Sequence, residues 1–276
     1  MLETGTFRAA PTGGDDGAVG SDALPPIETG TLPDVVVTNC SSPSVQYIYL
    51  VTYENHLWSY YPPSGRYSEL GTLDCPTTST PFSMAVDRQG VAYVLYSSGE
   101  IFRVSTRTVA CTPTAFTPPD PSYGTFGMAF VGDPNGATDT LYIATPTLLA
   151  TVDLTTLQPT AVGPMTLLFA ELTGTTDGRL FSFYSTDTTG DGTAIAELDP
   201  STAAVVANTN LVNLPRGNGW AFGLWGGDFY LFTAPGGFDG TSTVTRFRPS
   251  DGTQTTLPSL PEVVVGAGVS TCAAQM

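Results

Sequence analysis

A protein that performs acid–base or covalent chemistry must supply the groups for it, and this sequence supplies few. Its 276 residues include one histidine, His56, and no lysine, all nine basic residues being arginine. Schiff-base chemistry and a phosphate-cradling lysine are thereby excluded. A nucleophile–histidine pair would have to use His56, but no G-x-S-x-G turn exists and YENHLWSYY reads as a hairpin between strands. His56 is expected to be an ordinary surface histidine. Carboxylate chemistry remains. Glycoside hydrolysis needs two carboxyl groups flanking one bond, and Glu171 is the acidic residue standing where its repeated counterparts are apolar. Such a carboxylate needs a partner, whether arginine, water, a cation or a ligand.

The other acidic residues have plainer readings. Asp87, Asp133 and Asp177 fall in glycine-containing turns, and Asp153 and Asp199 begin D-x-x-T segments, so each is expected to accept hydrogen bonds from its own turn. In STDTTGDGTAIAE the oxygen-bearing Asp187, Thr189 and Asp191 precede Gly192 in the manner of a calcium loop. The next carboxylate, Glu197, is one residue short of the EF-hand spacing. No cofactor is expected, calcium being the sole weak candidate.

Binding chemistry is better represented. Phe82, Phe126, Phe169 and Trp220 recur at one position of a repeat, each before a small residue: Ser83, Gly127, Ala170 or Ala221. A ring of aromatics could stack a sugar or another flat ligand, or it could wedge between packed sheets. Two residues further on stand Met84, Met128, Glu171 and Phe222, with Gly268 as the counterpart in the last strand, where the innermost strands are expected to line a channel. Arg216, in LPRGNGW just before Trp220, is a candidate anchor for an anion or carboxylate.

The repeat supplies the elements that position these residues. Units beginning at Ser83, Gly127, Ala170 and Ala221 are 44, 43 and 51 residues apart. Each carries a short apolar strand, a Gly or Asp turn, an aromatic-rich strand, a variable loop, an alternating third strand and a fourth rich in Thr and Val. Four strands per unit make a propeller blade. The segment from Tyr47 to Leu73 offers only the second to fourth strands of a fifth unit, and VVVGAGVSTC, from Val263 to Cys272, reads as the missing first. Both ends of the chain would then close the ring, in an all-β, five-bladed propeller of four-stranded blades over residues 34–276. A sixth blade using Val35 to Val37 is the competing count.

In this alignment Cys272 ends the closing strand and Cys40 just precedes the strand that pairs with it, while Cys75 and Cys111 lie near the outermost strands of adjacent blades. Bridges Cys40–Cys272 and Cys75–Cys111 are expected, although four cysteines allow three pairings. Disulfides imply an oxidising compartment, so the chain is expected to be secreted or at a cell surface or in a periplasm. No apolar run reaches transmembrane length, and the opening residues lack the regions of a signal peptide, as in a mature form. Residues 1–33, rich in Gly, Asp, Ala, Thr and Pro, read as a flexible tether.

Blade segments such as AELDPST and TVDLTT resemble those of many secreted bacterial five-bladed propellers. The chain is also similar to a group of secreted bacterial proteins sharing stretches like PFSMAVDR, ELTGTTDGRLF and GAGVSTC, a group that implies no activity. Five-bladed glycosidases resemble the architecture, but they set several carboxylates on different inner strands, and here those strands offer Glu171 alone.

A formal charge of −16 with no basic cluster argues against nucleic acid as a partner. The expectation is therefore a monomeric, non-catalytic binding propeller that recognises a glycan or another cell-surface ligand through Phe82, Phe126, Phe169, Glu171, Arg216 and Trp220. The alternatives are a glycoside hydrolase using Glu171 and a protein-interaction scaffold.

Overall fold

Alternation of side chains along a strand sends neighbouring residues to opposite faces, so a strand apolar throughout must be covered on both. The innermost strand of each blade is largely of that kind, and the structure, a computed structural model, covers these strands blade against blade. It describes residues 40, 42–134, 138–238 and 240–273. The 1–33 tether and the sixth-blade strand at Val35 to Val37 lie outside the described residues.

Blade one holds β1 (Ile48–Thr52), β2 (His56–Tyr61) and β3 (Arg66–Thr72). Blade two is β4 (Pro81–Val86), β5 (Val91–Tyr96), β6 (Ile101–Ser105) and β7 (Cys111–Pro113). Blade three is β8 (Gly127–Gly132), β9 (Asp139–Ala144), β10 (Leu148–Val152) and β11 (Pro159–Pro164). Blade four is β12 (Leu168–Gly174), β13 (Leu180–Ser185), β14 (Thr193–Leu198) and β15 (Val205–Leu211), and blade five is β16 (Trp220–Trp225), β17 (Asp228–Thr233), β18 (Ser242–Arg248) and β19 (Thr253–Leu260). The last strand, β20 (Val264–Val269), returns to blade one and pairs antiparallel with β1, Leu50 opposite Ala267. The sheets are five and four-stranded, and the ring closes as the repeat predicted.

Each inter-blade seam has its own apolar core. In β5, Ala92, Val94 and Tyr96 face the seam with blade one, while Tyr93 and Leu95 face the seam with blade three. Met84, Met128 and Phe222 are buried in such seams rather than lining the channel mouth, which corrects the expectation for that position. The inner strands converge too closely for large side chains at every site. A Cβ on Gly127 would lie 2.3 Å from the Ala170 carbonyl oxygen of the next blade, and one on Gly268 would lie 2.6 Å from Val86 Cγ2.

Both disulfides form as the alignment paired them: Cys40–Cys272 beside the closing strand, and Cys75–Cys111 between the outer strands of blades one and two. At the same end of the ring as Cys272, a buried ion pair ties three blades together. Arg88, after β4, donates from Nη2 to Asp139 Oδ1 at 2.6 Å, and Thr271, after β20, donates from Oγ1 to Asp139 Oδ2 at 2.8 Å. His56 is no free surface residue either. It contacts Glu262 Oε1 at 2.8 Å, while Glu262 Oε2 accepts from Thr52 and Trp58, pinning the β1–β2 hairpin to the segment entering β20.

Candidate functional site at the channel mouth

At the end of the ring opposite Cys272, the inner strands begin and the loops between second and third strands gather. Two adjoining cavities open there, of about 100 Å³ and about 450 Å³. Phe82, Glu171 and Trp220 line both and form the partition between them. Phe126 and Phe169 line the larger one. Arg216 stacks against Phe169 and Trp220, so the structure brings all six candidate residues to one mouth.

The aromatics are nevertheless not equivalent. Phe126 is 2% exposed and packs edge-on against Phe116 in the seam, so it acts as a wedge. Phe82 falls where the β4–β5 register shifts between Pro81 and Ser83, and Phe169 where the β12–β13 register skips from Leu168 to Glu171. Bulges of this kind re-aim side chains. Phe169 takes a positive φ of 53° and is 48% exposed. The carbonyl freed by this bulge accepts from Trp220 Nε1 at 3.1 Å, and the two rings meet edge to face at 6.1 Å.

The guanidinium of Arg216 lies 4.2 Å from the centroid of Phe169 and 4.1 Å from that of Trp220, in the corner between the rings. Its Nε donates to Ser185 Oγ at 2.9 Å, and its backbone N–H donates to the Gly190 carbonyl at 2.8 Å. Burial draws its pKa below the usual value, against the pull of Asp187. Arginine stays charged all the same.

Glu171 is buried at the partition and accepts a hydrogen bond from Ser83 Oγ, two blades away across the axis, at 2.8 Å. That bond supplies the partner the sequence demanded. Burial pushes its carboxyl well above the ordinary 4.5, with the Ser83 bond opposing. Above pH 4.5 the unfolded chain releases this proton while the folded chain keeps it, so stability falls as pH rises toward the folded pKa. Glu171→Gln, which does not titrate, should therefore gain on the wild type as pH rises above 4.5 toward the folded pKa. Urea denaturation at several pH values measures this; a difference independent of pH would mean that Glu171 is ionised in the fold.

Glu171 is the one carboxylate among the described residues lining either cavity. Asp187 is spent on its own loop, Oδ1 accepting from Gly190 N and Thr189 Oγ1 and Oδ2 from Gly192 N. Among the described residues no group of three or more His, Cys, Asp or Glu gathers as a metal would require. Asp87, Asp153 and Asp199 accept from the amides of their own turns.

The structure adds residues that the repeat did not flag. Tyr53, in the β1–β2 turn, and Phe238, after β17, lie 4.5 Å apart between centroids and line the smaller cavity, while Leu168 lines the larger. Their only sequence signal is a large apolar residue in an otherwise polar loop, as in TYENH and GGFDG.

No helix among the described residues is long and apolar enough to cross a membrane. No family model matches the chain, and no curated protein matches it. Among solved structures, it is similar to a chain of the crystal structure of a nidogen/laminin complex, with a TM-score of 0.51 and 11% identity over 80% of this chain and 97% of that one. At that identity the likeness is one of fold, and the chain is an all-β, five-bladed propeller closed by its last strand.

Proposed function

We propose that this chain is a non-catalytic binding propeller of an oxidising compartment that docks a protein partner at its channel mouth. The observation that carries this is where the exposed apolar side chains sit. Of nine large hydrophobics exposed among the described residues, Tyr53, Leu168, Phe169 and Phe238 belong to this one mouth. Clustered exposed apolar groups with a polar surround mark interaction sites. The two disulfides fit an extracytoplasmic setting. The neighbour of similar fold belongs to a protein assembly, which agrees with the reading, although propellers serve many functions. Hydrolysis is disfavoured because, among the described residues, one carboxylate lines the cavities where two must flank a bond.

A glycan is the second reading, favoured by the half-exposed ring of Phe169. It is weakened because Arg216 covers part of both Phe169 and Trp220, leaving less ring surface for a sugar. Displayed random peptides and a glycan array, each probed with wild type, Phe169→Ala and Trp220→Ala, separate the two. Peptide capture reduced at least tenfold by both variants is expected. Capture confined to glycans would replace the first reading with the second, and binding indifferent to both variants would remove the mouth as the site.

A further inference from the structure

We propose that the segment received at the mouth presents a carboxylate beside an apolar side chain, the carboxylate pairing with Arg216 and the apolar group entering the larger cavity. The inference rests on the mouth being the docking site and adds the chemistry of what docks. Arg88, Arg179, Arg246 and Arg248 each have a carboxylate at ion-pair distance, but Arg216, though half-buried, has none among the described residues. Its central carbon lies against both rings and its Nε is taken by Ser185, which leaves the two terminal nitrogens. A guanidinium held in this corner has little rotamer freedom left to lose on binding and offers directed donors that match a carboxylate.

Arg66, Arg103 and Arg107 also lack a carboxylate at that distance among the described residues, but all three are exposed to water, whereas Arg216 is half-buried. Asp187, the carboxylate whose charge Arg216 feels, has both oxygens engaged by Gly190, Gly192 and Thr189. Burial raises the Glu171 pKa and so disfavours its charge, which weakens its opposition to an incoming anion. The larger cavity adjoins Arg216 through Phe169 and Trp220, and Phe126, Ala144, Leu167 and Ala170 make its lining apolar. Its volume, about 450 Å³, is that of a pocket for a small ligand or a large side chain.

The test uses N-acetyl-L-phenylalanine, its uncharged carboxamide and D-glucuronate, titrated calorimetrically into the oxidised full chain at pH 7. The free acid is expected to bind at least tenfold more tightly than the amide. Arg216→Gln should abolish that preference while leaving the amide affinity within about twofold, and Arg216→Lys should restore part of it; melting temperatures confirm that both variants fold. Equal binding of acid and amide, or a preference that survives Arg216→Gln, overturns the proposal. Tighter binding of glucuronate than of the acyl amino acid overturns the peptide occupant in favour of an acidic sugar. If no probe binds while displayed peptides are captured through Phe169 and Trp220, this inference falls and the docking reading stands; if that capture is also indifferent to the ring variants, both fall.

Discussion

Replacing Cys40 and Cys272 together by serine is expected to lower the melting temperature by on the order of 10–20 °C, the largest effect of any substitution considered. The bridge spans 232 residues of sequence and ties the segment entering blade one to the end of the closing strand. A cross-link of that length restricts the unfolded chain by about 5 kcal/mol in the chain-entropy view. For a domain of this size each kcal/mol moves the midpoint by about 2–4 °C. The Cys75–Cys111 bridge spans 36 residues, so its double serine variant should lose less, about 4 kcal/mol. Calorimetry of the oxidised wild type and both variants makes the comparison. A greater loss from opening Cys75–Cys111 would show that ring closure is held mainly by strand pairing and seam packing.

Asp139→Ala is the second large effect, with an expected loss of about 3–5 kcal/mol in urea denaturation at pH 7. Both partners of the Arg88–Asp139 pair are nearly inaccessible, with side chains 9% and 5% exposed, so the surviving guanidinium would be left buried and unpaired. The substitution also removes the acceptor for Thr271, loosening the residue beside the closing disulfide. Replacing both charges, as in Arg88→Met with Asp139→Leu, should recover much of the loss, because the desolvation of two ions disappears with the pair. A double variant as unstable as the single one would assign the loss to the Thr271 bond instead. The pair lies at the opposite end of the ring from the mouth, so ligand binding should be unaffected in whatever fraction stays folded.

The pairing of chain ends was legible because it rests on a count. Four units with complete strands and one lacking its first strand made VVVGAGVSTC the candidate to fill the gap, and the expected cysteine pairing followed from that alignment. His56 was misread for the opposite reason. Its partner Glu262 lies 206 residues away, and no local pattern announces a contact made only when the ring closes. Met84, Met128 and Phe222 were placed at the channel because they share a repeat position with Glu171; the structure buries them in the seams. Glu171 differs from them by its partner, Ser83 of blade two, which holds its carboxyl across the axis.

By itself the sequence determined the poverty of catalytic groups and pointed to five blades, the closing strand and the two disulfides, with a sixth blade and other pairings left open, since these depend on residue type and on periods that repeat along the chain. Only the tertiary structure decided which of four similar aromatics is a wedge and which is exposed, that Glu171 bonds to Ser83 across the axis, and that Arg216 lies between Phe169 and Trp220 without a carboxylate partner among the described residues. The physical reason is that bulges, positive φ and contacts across the ring depend on how distant strands converge at a narrow axis, and one-residue shifts there redirect a side chain without altering the repeat that encodes the blade.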